Sequence, residues 1–343
     1  MKLLLWLIAG LLIGSVAERL LTARSEARRG ALGESTPPRR RRKVLRWVVL
    51  AVFLMLIAGT VGGYMWANSV FDRIEKVDVS SALSSGSSGT NYLLVGADNG
   101  QDGEATREGV EGVRSDTIMI LNIDGGKARM LSLNRDLWVD NPATGQKGRL
   151  NATYNQGPEN LIRAVTHNFG IPIDRYIEID FTSFAGLVDA FGGIDINFEH
   201  PAIDRASGLV VEQSGLVHLD GDQALAYVRS RHYTEIIDGK EVPEGGLPDV
   251  NRTQRQQAFL RAIMSKAGAK RNPFTLMKAA GNMADGLRID DDMTMFQAAR
   301  FAWNMGKLDP ETVVLPVVPR TTSGGAAVLE LGDGAEQILA TFR

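Results

Sequence analysis

The sequence predicts a three-layer α/β/α domain with a central, mostly buried mixed sheet, preceded by an N-terminal transmembrane anchor. One observation is an uncharged stretch of 21 residues, from Trp47 to Ala67, which is long enough to cross a bilayer core. A second is that, from about Asn91 onward, short apolar runs alternate with segments of helical pattern. A third is the length of 343 residues, enough to bury a large core.

The N-terminal segment is expected to be a membrane anchor with the domain outside the cell. Five basic residues, Arg39 to Lys43, directly precede the uncharged stretch, so the positive-inside rule places the membrane-proximal basic segment of residues 1–46 in the cytoplasm. We predict a transmembrane helix over residues 47–69. A shorter apolar run, residues 3–17, is either a second span or an interfacial segment. The chain thus crosses the membrane once or twice, with the same outward topology for the domain.

Charge and composition exclude several functions. The whole chain has a net charge of -2, but its first 69 residues carry +8, so the remainder carries -10. A basic stub beside an acidic body argues against nucleic acid as the partner. The absence of cysteine excludes disulfides, thiol nucleophiles and thiolate metal sites. The four histidines have no zinc-site spacing.

The segment between anchor and domain is rich in serine and glycine. We predict an extracellular linker over residues 70–90, with a flexible tether from Val79 to Thr90, and a globular domain over residues 91–343. Three apolar runs bounded by Gly or Asp predict the first strands. These are Tyr92–Val95, Thr117–Asn122 and Ala128–Leu133, with a hairpin turn at Asp124-Gly125-Gly126 between the last two.

The remaining pattern alternates between helical and extended segments. The predicted helices are Pro158–Phe169, Phe181–Phe191, Asp222–Arg231, Val250–Ala269, Phe274–Ala284 and Met293–Met305. The predicted extended segments are Arg175–Asp180, Ile194–Phe198 and Val313–Val318. Such alternation is typical of a buried sheet with helices on both faces.

Two acids stand at predicted strand ends. Asp98 follows one strand and Asp116 precedes the next. Carboxylates at neighbouring strand ends can converge where open α/β sheets bind ligands, and two of them with a phosphate suit Mg²⁺. The alternative is that both acids only cap turns.

Arginines form the second set of candidates. Arg135 closes the third strand, where it either grips a phosphate, oriented by Asp136, or forms a local ion pair. Arg229 and Arg231 end a helix, a placement that the helix dipole alone would favour. Arg252, Arg255 and Gln256 then stand at the start of the next helix, where Arg252 and Gln256 share one face, an arrangement that favours an anion. No Walker loop or dinucleotide-binding glycine motif supports nucleotide binding.

The ordered clusters between Asn91 and Ala269 resemble the LytR-CpsA-Psr family of cell-wall glycopolymer ligases. The motifs that carry the resemblance are Asn91–Asp98, Arg114–Thr117, Leu131–Asp136, Arg149–Tyr154, Phe191–Asp195, Leu219–Gly221, Ala226–Arg231 and Arg252–Gln257. The resemblance implies a LytR-CpsA-Psr domain that takes a glycopolymer, such as wall teichoic acid, from a polyprenyl-pyrophosphate carrier. It would transfer the polymer with its proximal phosphate to peptidoglycan.

The same resemblance implies residue roles. Asp98 and Asp116 would hold Mg²⁺, with Mn²⁺ as a second candidate, and either acid could deprotonate the acceptor. Arg135 would act with them in catalysis. The residues implied to bind the pyrophosphate are Arg135, Arg149, Arg229, Arg231, Arg252 and Gln256. The polyprenyl tail would lie in an apolar tunnel beneath the sheet.

Departures from the family pattern and two alternative functions accompany this hypothesis. Asn134 stands where the family usually has proline, and Arg149 where lysine is usual. The loop Asn99–Val113 is longer than is common, and His232–Pro248 is an enlarged insertion; both are expected to flank the site. The same residues would serve a hydrolase that uses water as acceptor. The other alternative is a membrane-tethered regulator or lipid-binding protein without activity.

Overall fold

The computed structural model describes residues 39–84, 86, 88–98, 114–246, 248–270 and 272–343. The chain divides into two compact units between Met65 and Trp66. The apolar run at residues 3–17 and the loop Asn99–Val113 lie outside the described residues.

Helix α1 (Arg39–Arg73) contains the whole predicted transmembrane segment 47–69 and continues past both of its ends. Its stretch Arg46–Arg73 has 28 residues and is long and apolar enough to cross a membrane. Its most apolar part is not buried by any of the described residues. A helix that is apolar all round and uncovered by protein suits a lipid environment.

A mixed sheet forms the centre of the second unit, as the sequence predicted. In the described part of the chain its order is β1 (Glu75–Val77), β14 (Leu287–Asp290), β7 (Arg175–Asp180), β2 (Thr90–Asp98), β3 (Arg114–Asp124), β4 (Lys127–Ser132) and β15 (Glu311–Val314). Strands β2 and β7 are parallel, whereas β2, β3 and β4 form an antiparallel meander. The predicted turn at Gly125-Gly126 connects β3 and β4.

Helices cover both faces of this sheet, which confirms the three layers. The helices after α1 are α2 (Leu150–Thr153), α3 (Pro158–Phe169), α4 (Phe181–Ala190), α5 (Gly221–Arg229), α6 (Pro248–Ala269), α7 (Pro273–Met283), α8 (Met295–Met305) and α9 (Ala335–Leu339). Side chains alternate along β2, so Leu93 packs with α3 and α9 on one face. Leu94 lies on the other face with Phe301 of α8 and Leu260 of α6.

Smaller sheets surround the main one, and the sequence did not predict most of them. They are built from β5 (Trp138–Asp140) with β6 (Lys147–Arg149), β8 (Ile194–Phe198) with β11 (Gly215–Leu219), β16 (Val317–Thr321) with β17 (Ala327–Leu331), and a four-stranded sheet of β10 (Leu209–Val211), β9 (Ala202–Asp204), β12 (Thr234–Ile237) and β13 (Lys240–Pro243). The single strand predicted over Val313–Val318 is wrong. It divides at Leu315-Pro316 into β15 and β16, because proline cannot donate to a strand ladder.

The segment predicted to be a flexible linker is also different in the structure. Strand β1 begins two residues after α1 ends and pairs with β14, where Arg288 reaches Glu75 at 3.0 Å. Val79 is fully buried in the main core. The amide of Ser84 donates to the carbonyl of Ile173 at 2.9 Å. The globular unit therefore starts before Asn91, since apolar residues interspersed among the serines of this segment enter the core.

The insertion His232–Pro248 contains the hairpin β12–β13. Its turn residues Asp238 and Gly239 have φ angles of 51° and 74°. Two consecutive positive φ values are typical of the tight hairpin turn that Asp-Gly favours. The Asp-Gly pair was a readable hairpin signal that the sequence interpretation missed.

A buried asparagine joins the beginning of β2 to residues near the end of the described chain. Asn91 is fully buried, and its Nδ2 donates to the carbonyls of Pro172 at 2.8 Å and Phe342 at 2.7 Å. Its Oδ1 accepts from Nδ2 of Asn122 at 2.8 Å. The Phe342 ring is itself fully buried in the core that contains Leu93.

We expect Phe342→Ala to lower the free energy of unfolding by about 3–5 kcal/mol, the usual cost of emptying a buried aromatic site. Chemical denaturation of the full-length protein in detergent, followed by near-ultraviolet circular dichroism, measures this change. Phe296→Ala is the matched control, because Phe296 is 70% exposed; we expect a change within about 0.5 kcal/mol. Equal losses in both variants would contradict the assignment of Phe342 to the core.

Candidate functional site

The topology brings four strand ends to one edge of the main sheet. Because β2 and β7 are parallel and β3 and β4 alternate in direction, the ends at Asp98, Arg114, Ser132 and Asp180 lie on the same side. We call this the site edge. Asp98 is paired with Arg114, and Asp180 of β7 with Ala97. The two predicted acids are therefore at the ends of adjacent strands.

A β-bulge marks the position of Asp116. Gly96 pairs with Thr117 and Ala97 pairs with Ser115, which leaves Asp116 as the extra residue of β3. Bulges twist a strand locally and are common beside active sites, where they redirect a side chain. For Asp98 and Asp116 the structure describes the backbone alone. Among the described residues, no group of three or more His, Cys, Asp or Glu is arranged to hold a metal.

Asp180, the third acid of the site edge, is used by the fold. Its Oδ1 accepts from the amide of Ser183 at 2.7 Å and so caps helix α4. Its carboxylate lies directly over Gly286, where a Cβ would come within 2.2 Å of it. Asp180 thus fixes the start of α4 next to the site edge.

The loop after β4 holds Arg135 beside a buried carboxylate. The Oδ1 of Asn134 accepts from the amide of Asp136 at 3.0 Å, which closes a tight turn. Asp136 then lies between two guanidinium groups, with Oδ2 3.4 Å from Nε of Arg135 and Oδ1 3.3 Å from Nε of Arg149. The ion pair suggested from sequence is therefore present.

Arg149 connects this loop to the backbone of β17. Besides its contact with Asp136, its Nη2 donates to the carbonyl of Ala327 at 2.9 Å. The amide of the neighbouring Leu150 donates to the carbonyl of Leu137, and that of Asn151 to the carbonyl of Arg135. The role in pyrophosphate binding implied for Arg149 by the resemblance stays a prediction.

Arg229 reaches the site edge through an aromatic ring. It is the last residue of α5, and its guanidinium carbon lies 4.6 Å from the centre of the Phe181 ring. Phe181 directly follows Asp180, so this cation–π contact brings the end of α5 to the end of β7. Arg229 therefore belongs to the same neighbourhood as the strand-end acids.

The segment after Arg229 is held by a carboxylate that sequence reasoning missed. Oδ2 of the buried Asp204 accepts from the hydroxyl of Ser230 at 2.6 Å and from the amides of Arg231 at 2.9 Å and His232 at 2.8 Å. Its Oδ1 accepts from the amides of Ala206 and Ser207. Burial alone would raise the pKa of Asp204, but these hydrogen bonds outweigh it and lower the pKa to about 2.

The first turns of α6 connect the end of α5 to the end of β4. Gln256 donates through Nε2 to the carbonyl of Val228 at 3.4 Å, and Gln257 through Nε2 to Oγ of Ser132 at 2.9 Å. The buried Arg255 donates to the carbonyl of Ser230 at 2.8 Å and to Glu244 at 2.6 Å. The buried Arg252 lies one turn earlier on the same helix.

The structure thus brings most of the predicted site residues together. Asp98, Asp116, Arg135 and Arg229 belong to the site edge or contact it directly. Arg231, Arg252 and Gln256 belong to the segments joined to it through Val228, Ser230 and Ser132. Of the residues that fix these segments, sequence reasoning missed Asp204. For Asp204 the only local signal was an aspartate three residues before a serine and a glycine, which is typical of a turn.

These features define an α/β protein with acids and arginines gathered at one sheet edge, preceded by an apolar helix of membrane-spanning length. The sequence model of the LytR_cpsA_psr family matches residues 63–331. The chain belongs to this family.

Three comparisons with known proteins agree with this assignment. The chain is 32% identical to the probable cell wall biosynthesis protein LcpB of Corynebacterium glutamicum, over 86% of this chain and 70% of that protein. It is 29% identical to the polyisoprenyl-teichoic acid–peptidoglycan teichoic acid transferase TagU of Bacillus mycoides, over 76% and 82%. Its structure resembles a LytR-Csp2A-Psr enzyme from Actinomyces oris, with a TM-score of 0.64, 26% identity and coverage of 79% and 96%.

The lowered pKa of Asp204 predicts a stability change in acid. The folded pKa of about 2 lies below the unfolded value, so the stabilisation is complete above about pH 4 and is lost as pH falls toward 2. We expect Asp204→Asn to remove about 2 kcal/mol of unfolding free energy at neutral pH and less at pH 2. Denaturant unfolding at several pH values between 2 and 7 measures both effects.

Asp195→Asn is the comparison variant for this measurement. The Asp195 carboxylate is also paired, with Lys266 and His218 at 2.8 Å each, but it is 40% exposed. Solvent screening makes such a surface pair worth little, so its loss should change stability less. An equal or larger effect of Asp195→Asn would contradict the weight given to Asp204.

Proposed function

We propose that this protein is a phosphotransferase that moves a glycopolymer with its proximal phosphate from a polyprenyl-pyrophosphate carrier to peptidoglycan. The observation that carries the proposal is that the strand ends at Asp98 and Asp116, the Arg135–Asp136 ion pair and the Arg229–Phe181 contact all lie at or next to the site edge. A relative named as a teichoic acid transferase supports the reaction class. Wall teichoic acid is accordingly the first polymer to test.

The proposed reaction needs charge stabilisation more than covalent chemistry. The oxygen of a peptidoglycan hydroxyl attacks the phosphorus next to the glycopolymer, and the bond from that phosphorus to the bridging oxygen breaks. Polyprenyl phosphate leaves with the electron pair, and a phosphodiester links polymer to wall. Phosphoryl transfer of this kind is accelerated mainly by positioning and by neutralising charge on the phosphate oxygens.

The arginines are suited to bind the two phosphates of the donor. Arg135 is oriented by Asp136, and Arg229 by stacking over Phe181. Planar guanidinium groups match phosphate oxygens with paired hydrogen bonds, so fixed orientation increases their selectivity. We assign Arg231, Arg252 and Gln256 to the same ligand because their segments are joined to Arg229.

The two strand-end acids fit a divalent cation that is completed by substrate. Mg²⁺ prefers one or two carboxylates together with phosphate oxygens and water, so a preformed cage of three or more acids is not required. Asp98 and Asp116 would hold Mg²⁺, with Mn²⁺ as the second candidate. When bound, the ion would neutralise charge on the pyrophosphate. Either carboxylate could receive the proton of the attacking hydroxyl.

The proposed localisation follows from the basic N-terminal segment. Residues 1–46 would lie in the cytoplasm and the catalytic domain on the outer face of the membrane, where peptidoglycan and lipid-linked polymer meet. Helix α1 is apolar enough to serve as the anchor.

We expect the full-length protein in detergent to attach labelled, lipid-linked teichoic acid to peptidoglycan in the presence of Mg²⁺. Arg229→Ala should lower kcat/KM by about 10²–10³-fold, because it removes a donor that stabilises developing phosphate charge. The product is measured as label released from washed peptidoglycan by phosphodiester cleavage. Arg163→Ala is the matched control, since Arg163 pairs with Glu159 on α3, outside the site.

The products separate this proposal from its alternatives. Free polymer phosphate without attachment to peptidoglycan would identify a hydrolase. Binding of donor without any product, together with wild-type wall polymer in an Arg135→Ala strain, would identify a regulator or lipid-binding protein. Failure of transfer with every donor tested, and full wall-polymer content in a deletion strain, would refute the transferase.

The proposed topology can be tested with single cysteines, because the chain contains none. In intact cells, Ser84→Cys should react with a membrane-impermeant maleimide, whereas Ser35→Cys should react only after the membrane is permeabilised. Mass shift of the purified protein measures the labelling. The reverse pattern would place the domain in the cytoplasm and exclude peptidoglycan as acceptor.

A further inference from the structure

We propose that Asp204 is the positioning residue that sets the two arginines Arg229 and Arg231 for phosphate binding. This inference rests on the proposed function, since it assigns the spacing of those arginines to a carboxylate that need not touch the substrate. Asp204 lies at the end of β9 in the four-stranded sheet. It is buried, and no motif of the resemblance includes it.

Asp204 binds the chain directly after Arg229. Its Oδ2 accepts three hydrogen bonds, from the Ser230 hydroxyl and from the amides of Arg231 and His232. All three donors lie in the three residues directly after Arg229. Helix α5 ends at Arg229, and at Ser230 the backbone changes to an extended conformation with φ -59° and ψ 128°. The carboxylate therefore fixes the chain at the point where its direction changes.

A cation, Arg255, holds the same segment from another side. Arg255 donates through Nη2 to the carbonyl of Ser230 at 2.8 Å. Its Nη1 donates to Glu244 at 2.6 Å, and its guanidinium carbon lies 4.9 Å from the centre of the Tyr233 ring. Ser230 is fully buried between these groups. The residue between the two arginines is thus immobilised by one anion and one cation.

Loss of these contacts would change the relative position of the two arginines. Arg229 and Arg231 flank Ser230, so rotation of either peptide at Ser230 would change the separation of the two guanidinium groups. Displacement of binding groups by about 1 Å can lower catalytic efficiency by about 10²-fold. The same two groups bind both ends of the insertion hairpin β12–β13. His232 donates to Asp204, and Glu244 accepts from Arg255. The enlarged insertion is thereby attached to the same two residues that hold Ser230.

Asparagine at position 204 is a sharp test because it keeps size and shape. A carboxylate offers two accepting oxygens, whereas an amide offers one oxygen and an NH₂ group that cannot accept. Two backbone amides contact each oxygen of Asp204, so Asp204→Asn must place an NH₂ group against one pair of donors. Ser230→Ala removes only one of the five bonds and tests the same segment if Asp204→Asn does not fold.

The experiment measures binding of geranyl pyrophosphate with Mg²⁺ to the full-length protein in detergent by calorimetry. We expect Asp204→Asn to weaken binding by about 10–100-fold, and Ser230→Ala to weaken it by a smaller factor. Asp195→Asn, the control for loss of one carboxylate, should bind as wild type. In an Arg229→Ala/Arg231→Ala background, Asp204→Asn should have no additional effect on binding, because Asp204 acts through those side chains.

The possible outcomes separate the proposed pyrophosphate site from the positioning role of Asp204. If wild-type protein does not bind the probe, the proposed pyrophosphate site is refuted and this inference with it. If wild type binds and Asp204→Asn binds equally well, the site stands and the positioning role is refuted. If the effect of Asp204→Asn remains as large in the Arg229→Ala/Arg231→Ala background, Asp204 acts on general stability and the positioning role is likewise refuted.

Discussion

The position of β2 between β3 and β7 is the constraint on which the rest of the structure depends. Because β2 pairs antiparallel with one neighbour and parallel with the other, its carboxyl end meets the start of β3 and the end of β7. Its opposite end holds the buried hydrogen bonds of Asn91. One strand therefore joins the interior of the domain to its candidate site. A change in the register of β2 would therefore alter both the interior and the candidate site.

Carboxylates organise the positive charge of this site. Asp136 lies between Arg135 and Arg149, and Asp204 fixes the backbone around Arg231. Such anions hold arginines in defined orientations despite their mutual repulsion, so less order has to be imposed when a phosphate binds. The carboxylates of the candidate site fall into two sets with different roles. Asp98 and Asp116 are the strand-end acids proposed to hold a cation, whereas Asp136 and Asp204 contact the arginines or the backbone around them.

The sequence predicted the mixed sheet, its central strands and the longer helices, because period-two and helical apolar patterns are local. It also selected residues that the fold brings to one edge. It failed where the structure depends on distant partners. Val79 enters the core from a serine-rich segment, and the hydrogen bonds that mark the role of Asp204 join it to residues 26 to 28 positions later. The Asp238-Gly239 turn was readable and was overlooked. Pairing between short strands remote in sequence has no comparable local pattern.

The bond from Asn91 to the Phe342 carbonyl spans 251 positions of the chain. Contacts this distant slow folding, because a large loop must close before they contribute. In the outward topology proposed for the domain, the core around Leu93 cannot close until residue 342 has passed through the membrane. Until then the apolar faces of β2 and β3 are exposed outside the cell. In that topology, export of the domain would include a period in which its central strands need protection from aggregation.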